Sequence, residues 1–340
     1  MNYFRTSILL LVLFSCFAVS QQTAWQWVNP LPQGNLLNGM YAMGQDTALG
    51  AGAYGTIIRT TNGGSTWQVE QEVAGIPDQL FAIQFVSPTI GWAVGEIGWI
   101  IKSTDAGASW TILNSPTLRD LYAVNFISTT TGWAVGAFGI IYKTTDGGLT
   151  WAAQSSGTTN TLYSINFFNS TTGWAVGANG TIVKTTNGGT TWTAQVGGTT
   201  QSLYSTEFLS TSVGWASGAF GTILRTVNGG TSWTTQTTGS IFSLYSVQFS
   251  TFLNGWAVGS YGEIIKSTNG GINWFEQASG TFNDLYSAKF VSSNVVWAMG
   301  DLGSIVKTTD GGSTWVGVSN GVKSTLNGIY FPSTNTGFAV

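Results

Sequence analysis

The chain has 340 residues, of which only 7% are charged, with 11 basic residues against 14 acidic ones. A nucleic-acid-binding surface needs clustered lysine and arginine to displace phosphate counterions, so this composition argues against that function. With no histidine and a single cysteine, the sequence also lacks the usual residues of nucleophilic triads and zinc sites, and neither a cofactor nor a metal is expected.

Residues 1–20 have the pattern of a signal peptide. Arg5 precedes an apolar run over residues 8–18, and small residues end the segment. An alternative, less favoured, is a lipoprotein signal that anchors the chain at Cys16. Later segments do not reach the roughly 18 apolar residues of a transmembrane helix. We therefore expect a secreted, periplasmic or cell-surface protein whose mature part, residues 21–340, has no transmembrane segment and is a monomer.

The mature chain is built from a repeat of about 41 residues. The tryptophan that closes each unit recurs with a first step of 43 residues and later steps of 41, at Trp67, Trp110, Trp151, Trp192, Trp233, Trp274 and Trp315. The complete repeats span about 37–79, 80–120, 121–161, 162–202, 203–243, 244–284 and 285–325, and a partial repeat spans 326–340. Fixed spacing of this kind is typical of solenoids and propellers.

Each repeat predicts four short strands. In the third repeat, residues 121–126 alternate apolar and polar positions, residues 132–136 read Gly-Trp-Ala-Val-Gly, and residues 139–144 end in Lys-Thr before the fourth strand begins at Trp151. Strands that are apolar on both faces must be covered on both faces, and a ring of stacked four-stranded sheets does this.

The sequence therefore predicts an all-β fold, a β-propeller of four-stranded blades. Seven blades are favoured, and the alternative is an eight-bladed ring in a truncated chain, because residues 326–340 begin another repeat. Trp25 or Trp27 is then expected to lie on a strand that completes the last blade.

The motif between the third and fourth strands predicts a hairpin turn. It reads Ser/Thr-x-Asp-x-Gly-x-Thr-Trp, and its acidic or amide residue accepts hydrogen bonds from the amides of its own turn. Asparagine replaces aspartate in several copies, which favours a structural role over calcium binding. The seven residues at this position are Asn62, Asp105, Asp146, Asn187, Asn228, Asn269 and Asp310.

Most basic residues occupy one position of the repeat, just before this turn. They are Arg59, Lys102, Lys143, Lys184, Arg225, Lys266 and Lys307. The favoured interpretation is that each side chain lies along a neighbouring aromatic residue, and the alternative is a cationic rim for an acidic partner or polysaccharide.

The turns between the second and third strands are Gly-x-x-Gly tips, and their two inner residues vary. These residues are expected to surround the channel mouth on the propeller face opposite the hairpin turns between the third and fourth strands, either packing on one another or binding a ligand. The candidate binding residues, hereafter the tip collar, are Tyr54, Glu96, Ile97, Phe138, Asn179, Phe220, Tyr261 and Asp301.

The repeated phrase Gly-Trp-Ala-Val-Gly, followed by Lys-Thr-Thr-Asp-Gly-Gly-x-Thr-Trp, resembles the photosystem II assembly/stability factor family of β-propellers with Asp-box (bacterial neuraminidase) repeats, over residues 37–340. This resemblance implies an assembly or scaffolding role, through binding of a protein partner. A surface carbohydrate-binding propeller and a degenerate Asp-box glycosidase or sialidase are the alternatives.

The enzyme alternatives lack their usual residues. A sialidase needs three converging arginines, and Arg59, Arg119 and Arg225 occupy two different positions of the repeat. Other glycosidases need two carboxyl groups about 5–10 Å apart, which Glu96 and Asp301 are not expected to provide. No enzyme activity is therefore expected.

Overall fold

The protein is described by a computed structural model that covers residues 37–42, 48–52, 56–60, 68–72, 78–290, 294–301, 305–317, 329–333 and 336–339. Within these residues the secondary structure is β-strands with a few single-turn 3-10 helices. Seven antiparallel sheets have four strands each, in chain order, and one further sheet has two. The all-β propeller predicted from the repeat is confirmed.

The sheets are numbered as blades along the chain. Blade 1 has β1 (Leu37–Ala42), β2 (Ala48–Gly52), β3 (Thr56–Thr60) and β4 (Gln68–Glu72). Blade 2 has β5 (Leu80–Phe85), β6 (Gly91–Gly95), β7 (Ile100–Ser103) and β8 (Thr111–Ile112). Blade 3 has β9 (Leu121–Phe126), β10 (Gly132–Gly136), β11 (Ile141–Thr144) and β12 (Ala152–Gln154). Blade 4 has β13 (Leu162–Phe167), β14 (Gly173–Gly177), β15 (Ile182–Thr185) and β16 (Thr193–Ala194).

The same order continues in the later blades. Blade 5 has β17 (Leu203–Phe208), β18 (Gly214–Gly218), β19 (Ile223–Thr226) and β20 (Thr234–Thr235). Blade 6 has β21 (Leu244–Phe249), β22 (Gly255–Gly259), β23 (Ile264–Ser267) and β24 (Phe275–Glu276). Blade 7 has β25 (Leu285–Phe290), β26 (Val296–Gly300), β27 (Ile305–Thr308) and β28 (Val316–Gly317), and the hairpin that follows has β29 (Ile329–Ser333) and β30 (Thr336–Ala339).

Packing between blades explains why the second strand is apolar on both faces. All five residues of β10 are buried. The Trp133 ring stacks on Phe167 of blade 4, with centroids 3.5 Å apart, and Trp92 stacks in the same way on Phe126 of blade 3, at 3.6 Å. The closing Trp192 then meets Phe167 edge-on. Blades 2–5 therefore each bury the central tryptophan against the phenylalanine of the next blade.

The first strands of successive blades lie side by side around the axis. β5 contacts β1 and β9, and the same neighbour relation continues to β25. The hairpin strand β29 contacts β25 on one side and β1 on the other, so the hairpin lies between blade 7 and blade 1. The preference for a ring of seven is therefore not confirmed, and the final blade count stays a prediction. The strand expected near Trp25 or Trp27 lies outside the described residues.

The helices among the described residues are single 3-10 turns, and none is long and apolar enough to cross a membrane.

Candidate functional site

The Asp-box turns are closed by their own side chains. In blade 2, the Ser103 hydroxyl donates to Asp105 Oδ1 at 2.9 Å and accepts the Gly107 amide at 2.7 Å. The amide and hydroxyl of Ser109 donate to Asp105 Oδ1 at 2.9 Å and Oδ2 at 2.6 Å. Asp146 and Asp310 make the same set of bonds. These contacts support a structural role for the motif, since they use most of the carboxylate's acceptor capacity.

Asparagine fits the same turn because the hydroxyl group it contacts can accept a hydrogen bond as well as donate one. Asn187 Oδ1 accepts the Thr191 amide at 2.9 Å, and Asn187 Nδ2 donates to the Thr191 hydroxyl, also at 2.9 Å. Asn228 makes the same pair of bonds with Ser232. Asn269 also accepts the amide four residues on. Asn62 lies outside the described residues.

The basic positions connect neighbouring blades. Lys102 Nζ donates to the Gly147 carbonyl of the next Asp-box turn at 2.9 Å and lies 5.2 Å from the centroid of the Trp92 ring. The Trp92 indole donates to the same carbonyl at 2.9 Å. Burial lowers the pKa of the Lys102 ammonium.

The other basic residues follow the same plan. Lys143, Lys184 and Lys266 lie 5.0–5.4 Å from the ring centroids of their strand-paired tryptophans, and Lys266 donates to the Gly311 carbonyl at 2.5 Å. Arg225 and Lys307 hold the same register position, paired with the tryptophan of the second strand. The side chain of Arg59 is outside the described residues. This placement supports the packing interpretation over a free cationic rim.

The tips lie on the face of the ring opposite the Asp-box turns. The amide of Glu96 donates to the carbonyl of Gln79, in the connection from blade 1, at 2.8 Å, whereas the Asp-box turn meets the loop between the first two strands. Antiparallel strands run from one face to the other, so the tips and the interblade connections share a face, hereafter the tip face.

Five of the collar residues adopt the left-handed backbone conformation. The φ angles of Ile97, Phe138, Asn179, Phe220 and Tyr261 are 44°, 57°, 55°, 52° and 57°. A side chain in the left-handed region costs about 1–2 kcal/mol, and a β-branched residue such as Ile97 is rare there.

Most of these strained side chains are nonetheless directed into solvent. Phe138 is 63% exposed, Phe220 73% and Tyr261 66%. The Phe138 ring carries the Arg119 guanidinium at 4.1 Å from its centroid, and Tyr261 meets Phe242 of the neighbouring connection, with centroids 5.3 Å apart. The structure therefore keeps large aromatic surface accessible on the tip face.

Two acidic collar residues lie near the inner strands. The Glu96 carboxylate accepts the Gln79 amide at 3.2 Å, and the Asp301 amide donates to the Asp284 carbonyl at 2.8 Å. Tyr54 lies outside the described residues, so its place in the collar stays a prediction.

An aromatic feature that sequence reasoning missed lines the axis beside the collar. The second residue of the first strand is a bulge in blades 2–7, so it has no cross-strand partner. These residues, hereafter the aromatic arc, are Phe81, Tyr122, Tyr163, Tyr204, Tyr245 and Tyr286. Neighbouring rings have centroids 5.2–5.7 Å apart. The alternation of side chains along the strand predicts ordinary packing for this residue, whereas the bulge turns its side chain in another direction.

Carboxylates lie at both ends of the arc. Asp120 Oδ2 accepts the Tyr122 hydroxyl at 3.2 Å, and Asp284 Oδ2 accepts that of Tyr245 at 3.4 Å. Burial and Asp120 raise the pKa of Tyr122 to about 12, and burial and Asp284 do the same for Tyr245. Burial, Asp284 and Asp301 also raise the pKa of Tyr286.

The same aspartates tie the arc to the collar. Asp120 Oδ1 accepts the Ile97 amide at 2.9 Å, and Asp284 Oδ1 accepts the Tyr261 amide at 3.0 Å. Each carboxylate therefore holds a left-handed tip residue with one oxygen and an arc hydroxyl with the other.

The geometry bears on the enzyme alternatives. Arg119 lies on the tip face against Phe138, whereas Arg225 lies at the Asp-box end of β19. These two arginines are on opposite faces and cannot converge on one carboxylate. Among the residues that the structure covers, there is also no group of three His, Cys, Asp or Glu side chains that could hold a metal ion.

Comparison with known proteins gives consistent matches. The sequence model of the family described as photosynthesis system II assembly factor YCF48 matches residues 17–104, 102–193 and 152–237. Photosystem II assembly protein Ycf48 from Synechococcus sp. strain JA-2-3B'a(2-13) is 30% identical over 93 residues, which is 26% of this chain and 27% of that protein. Ycf48 from strain JA-3-3Ab is 30% identical over 88 residues, 24% of this chain and 26% of that protein. The chain thus matches about a quarter of the length of these curated relatives.

Solved structures show the same fold. YCF48 bound to D1 peptide superposes with a TM-score of 0.64 at 20% identity, covering 83% of this chain and 93% of that one. YCF48 from Cyanidioschyzon merolae gives a TM-score of 0.63 at 21% identity, over 83% and 95%. The GH74 xyloglucanase of Xanthomonas campestris gives 0.57 at 14% identity, over 86% and 62%. At these identities the likeness concerns the fold alone.

Proposed function

Because the chain belongs to the photosynthesis system II assembly factor YCF48 family, we propose that it is a non-catalytic assembly or scaffolding propeller that binds a segment of a partner protein through its tip face. We also propose that it acts outside the cytoplasm, on the strength of the signal-like pattern of residues 1–20.

The strained, exposed aromatic tips are the observation that carries the tip-face proposal. Phe138, Phe220 and Tyr261 each bear the cost of a left-handed backbone while leaving more than half of the side chain in solvent. Folding gains little from such residues, and strain of this kind clusters at binding sites. Exposed aromatic side chains on a rigid scaffold are also the usual anchors of protein interfaces.

The opposite face offers fewer free polar groups. The Asp-box carboxylates are hydrogen-bonded within their own turns, and Lys102 and Lys266 donate to the turn of the next blade. A related propeller has been solved with a D1 peptide bound, which supports a polypeptide as the ligand class for this chain.

A substitution taken from the chain itself tests this proposal. Blade 4 has Asn179 where blades 3, 5 and 6 have an aromatic residue, and asparagine tolerates the left-handed region. The triple variant F138N/F220N/Y261N should therefore keep its fold and lose the aromatic surface. Affinity capture from extracts of the source cells, quantified by mass spectrometry, should show loss of the proteins retained by the wild type.

A matched control removes exposed apolar side chains from the other face. Leu149 and Ile272 lie in Asp-box turns, 63% and 52% exposed, at the position where Thr190 stands in blade 4. L149T/I272T should retain every partner. Equal retention by wild type and tip variant, with unchanged circular dichroism, would show that binding does not use the tip face.

A carbohydrate ligand is the second candidate, since aromatic tips also stack on sugar faces and a GH74 xyloglucanase shares the fold. Binding of the wild type on a glycan array, lost in F138N/F220N/Y261N, would favour it. Turnover of chromogenic glycosides would contradict the non-catalytic assignment.

A further inference from the structure

The aromatic arc and the carboxylates at its ends form a surface with a definite chemistry. The six rings are half-buried and contact one another in sequence, so their faces and hydroxyls line the inner side of the tip face without a gap between blades 2 and 7. Ring faces carry negative quadrupole potential and attract ammonium and guanidinium groups.

The charges around the arc have one sign. Asp120 bonds the Tyr122 hydroxyl, and the negative charge of Glu96 also acts on that phenol. At the other end, Asp284 and Asp301 act on Tyr286. Among the described residues, the basic side chain on this face is Arg119, whose guanidinium lies over the Phe138 ring. The four carboxylates therefore give the tip face beside the arc a negative electrostatic potential.

The negative charge of this surface comes from the carboxylates and not from the tyrosine hydroxyls. Burial and the neighbouring acids raise the pKa of Tyr122 and Tyr245 to about 12, so the phenols are neutral at physiological pH. Neutral phenols can accept hydrogen bonds from a bound cation while their rings stack on it.

We propose that the aromatic arc, with Glu96, Asp120, Asp284 and Asp301, binds arginine or lysine side chains of an extended partner segment. This inference rests on the proposed function, because it assigns the chemistry of the segment that the tip face receives. The strained tips supply apolar contacts at the outside, and the arc selects for positive charge at the centre. Charge complementarity of this kind gives specificity and fast association.

A charge-matched peptide pair tests the proposal directly. One probe is an acetylated and amidated peptide of glycine and serine with regularly spaced arginines, and the other replaces each arginine with citrulline, a neutral isostere. Fluorescence anisotropy should show that the arginine peptide binds and that its affinity falls as salt is added. The citrulline peptide should bind about tenfold more weakly or not detectably. Equal binding of both peptides, or of neither, would overturn the proposal.

Variants locate the site on the tip face. E96Q/D301N removes two carboxylates, and the side-chain oxygen at position 96 can still accept the Gln79 amide. This variant should bind the arginine peptide about tenfold more weakly than the wild type. D105N/D310N removes the same charge from the Asp-box face and should change affinity by less than about twofold. Y163L should weaken binding as well, whereas Y142L, in the third strand, should not. Equal effects of the two double variants would mean that net charge alone attracts the peptide, which would also overturn the proposal.

The outcome is separable from that of the proposed function. Should F138N/F220N/Y261N lose its cellular partners while E96Q/D301N and Y163L keep them, tip-face binding stands and the cationic assignment falls. Should saccharides bind the arc in place of the arginine peptide, the assignment falls as well.

Discussion

Single side chains decide how each Asp-box turn closes, and aspartate and asparagine do so with different charges. Asp146 accepts both the amide and the hydroxyl of Thr150, whereas Asn187 donates its amide to the hydroxyl of Thr191. A hydroxyl can serve as donor or acceptor, so either residue satisfies the turn. This explains how one repeat tolerates both residues at a position that holds several hydrogen bonds.

Acid stability should follow this difference. Hydrogen bonds from Thr150 and Thr144 lower the pKa of Asp146 to about 2, below the ordinary aspartate value of 3.8. A depressed folded-state pKa stabilises the protein above the unfolded value, and that stabilisation is lost as the pH falls through the folded value. D146N should therefore be close to wild type at neutral pH and less sensitive to acid between these values, measured by urea unfolding.

Two further variants check the assignment. N187D should gain acid sensitivity, and D146A, which removes both carboxylate acceptors of the turn, should lower the melting temperature at every pH. A D146N protein as acid-sensitive as the wild type would show that other carboxyl groups control acid unfolding.

At the scale of the strand, the second-strand tryptophan joins each of blades 2–5 to the following blade. The Trp215 indole donates to the Gly270 carbonyl at 3.0 Å, and its ring stacks on Phe249 with centroids 3.5 Å apart. Trp92, Trp133 and Trp174 make the equivalent contacts. The repeat is therefore a unit of stability only together with its neighbour, as in other repeat proteins.

W215F should test the directional part of this contact. The change keeps an aromatic ring but leaves the Gly270 carbonyl without its indole donor, and an unsatisfied buried group costs about 1–3 kcal/mol. The matched control is W233F, since the Trp233 indole nitrogen is buried without a hydrogen-bond partner. Chemical denaturation should show the larger loss for W215F, and equal losses would assign the stability to ring packing alone.

Over the whole molecule, the ring brings together residues that are far apart in the chain. The aromatic arc draws on six blades, and burial, together with neighbouring tyrosines or acids, raises the pKa of Tyr122, Tyr163, Tyr245 and Tyr286. The hairpin β29–β30, between blade 7 and blade 1, belongs to this scale too, because only contacts between the first and last strands place it there.

Tyr122 and Tyr245 should titrate late. A phenol whose folded-state pKa is raised from 10.0 to about 12, as for Tyr122 and Tyr245, stabilises the fold below the unfolded value, and this contribution is lost as the pH rises through the folded value. Part of the tyrosinate absorbance should therefore appear only well above pH 10. Y122F and Y245F should each remove late-titrating absorbance, and removal of early-titrating absorbance instead would contradict the buried arc.

Much of this arrangement follows from the sequence. The fixed period, the doubly apolar Gly-Trp-Ala-Val-Gly strand and the Asp-box turn predict a propeller, because such strands can hide both faces only between neighbours. The Gly-x-x-Gly tips also identified the exposed collar, since glycine marks the turn: a side chain on Gly98, at φ 82°, would collide with the Thr117 carbonyl. Local patterns of this kind depend on neighbours along the chain, which the sequence displays.

Tertiary structure alone decided the rest. From the sequence alone, a tyrosine after the first leucine of a strand is expected to make ordinary packing contacts within its sheet. In the structure the bulge turns this side chain, and the ring of blades places six aromatic residues side by side. Likewise, Asp120 and Asp284 are single acids in connecting loops, and only closure of the ring puts them at the two ends of one aromatic surface. Position around an axis depends on how all blades pack, and no single repeat contains that information.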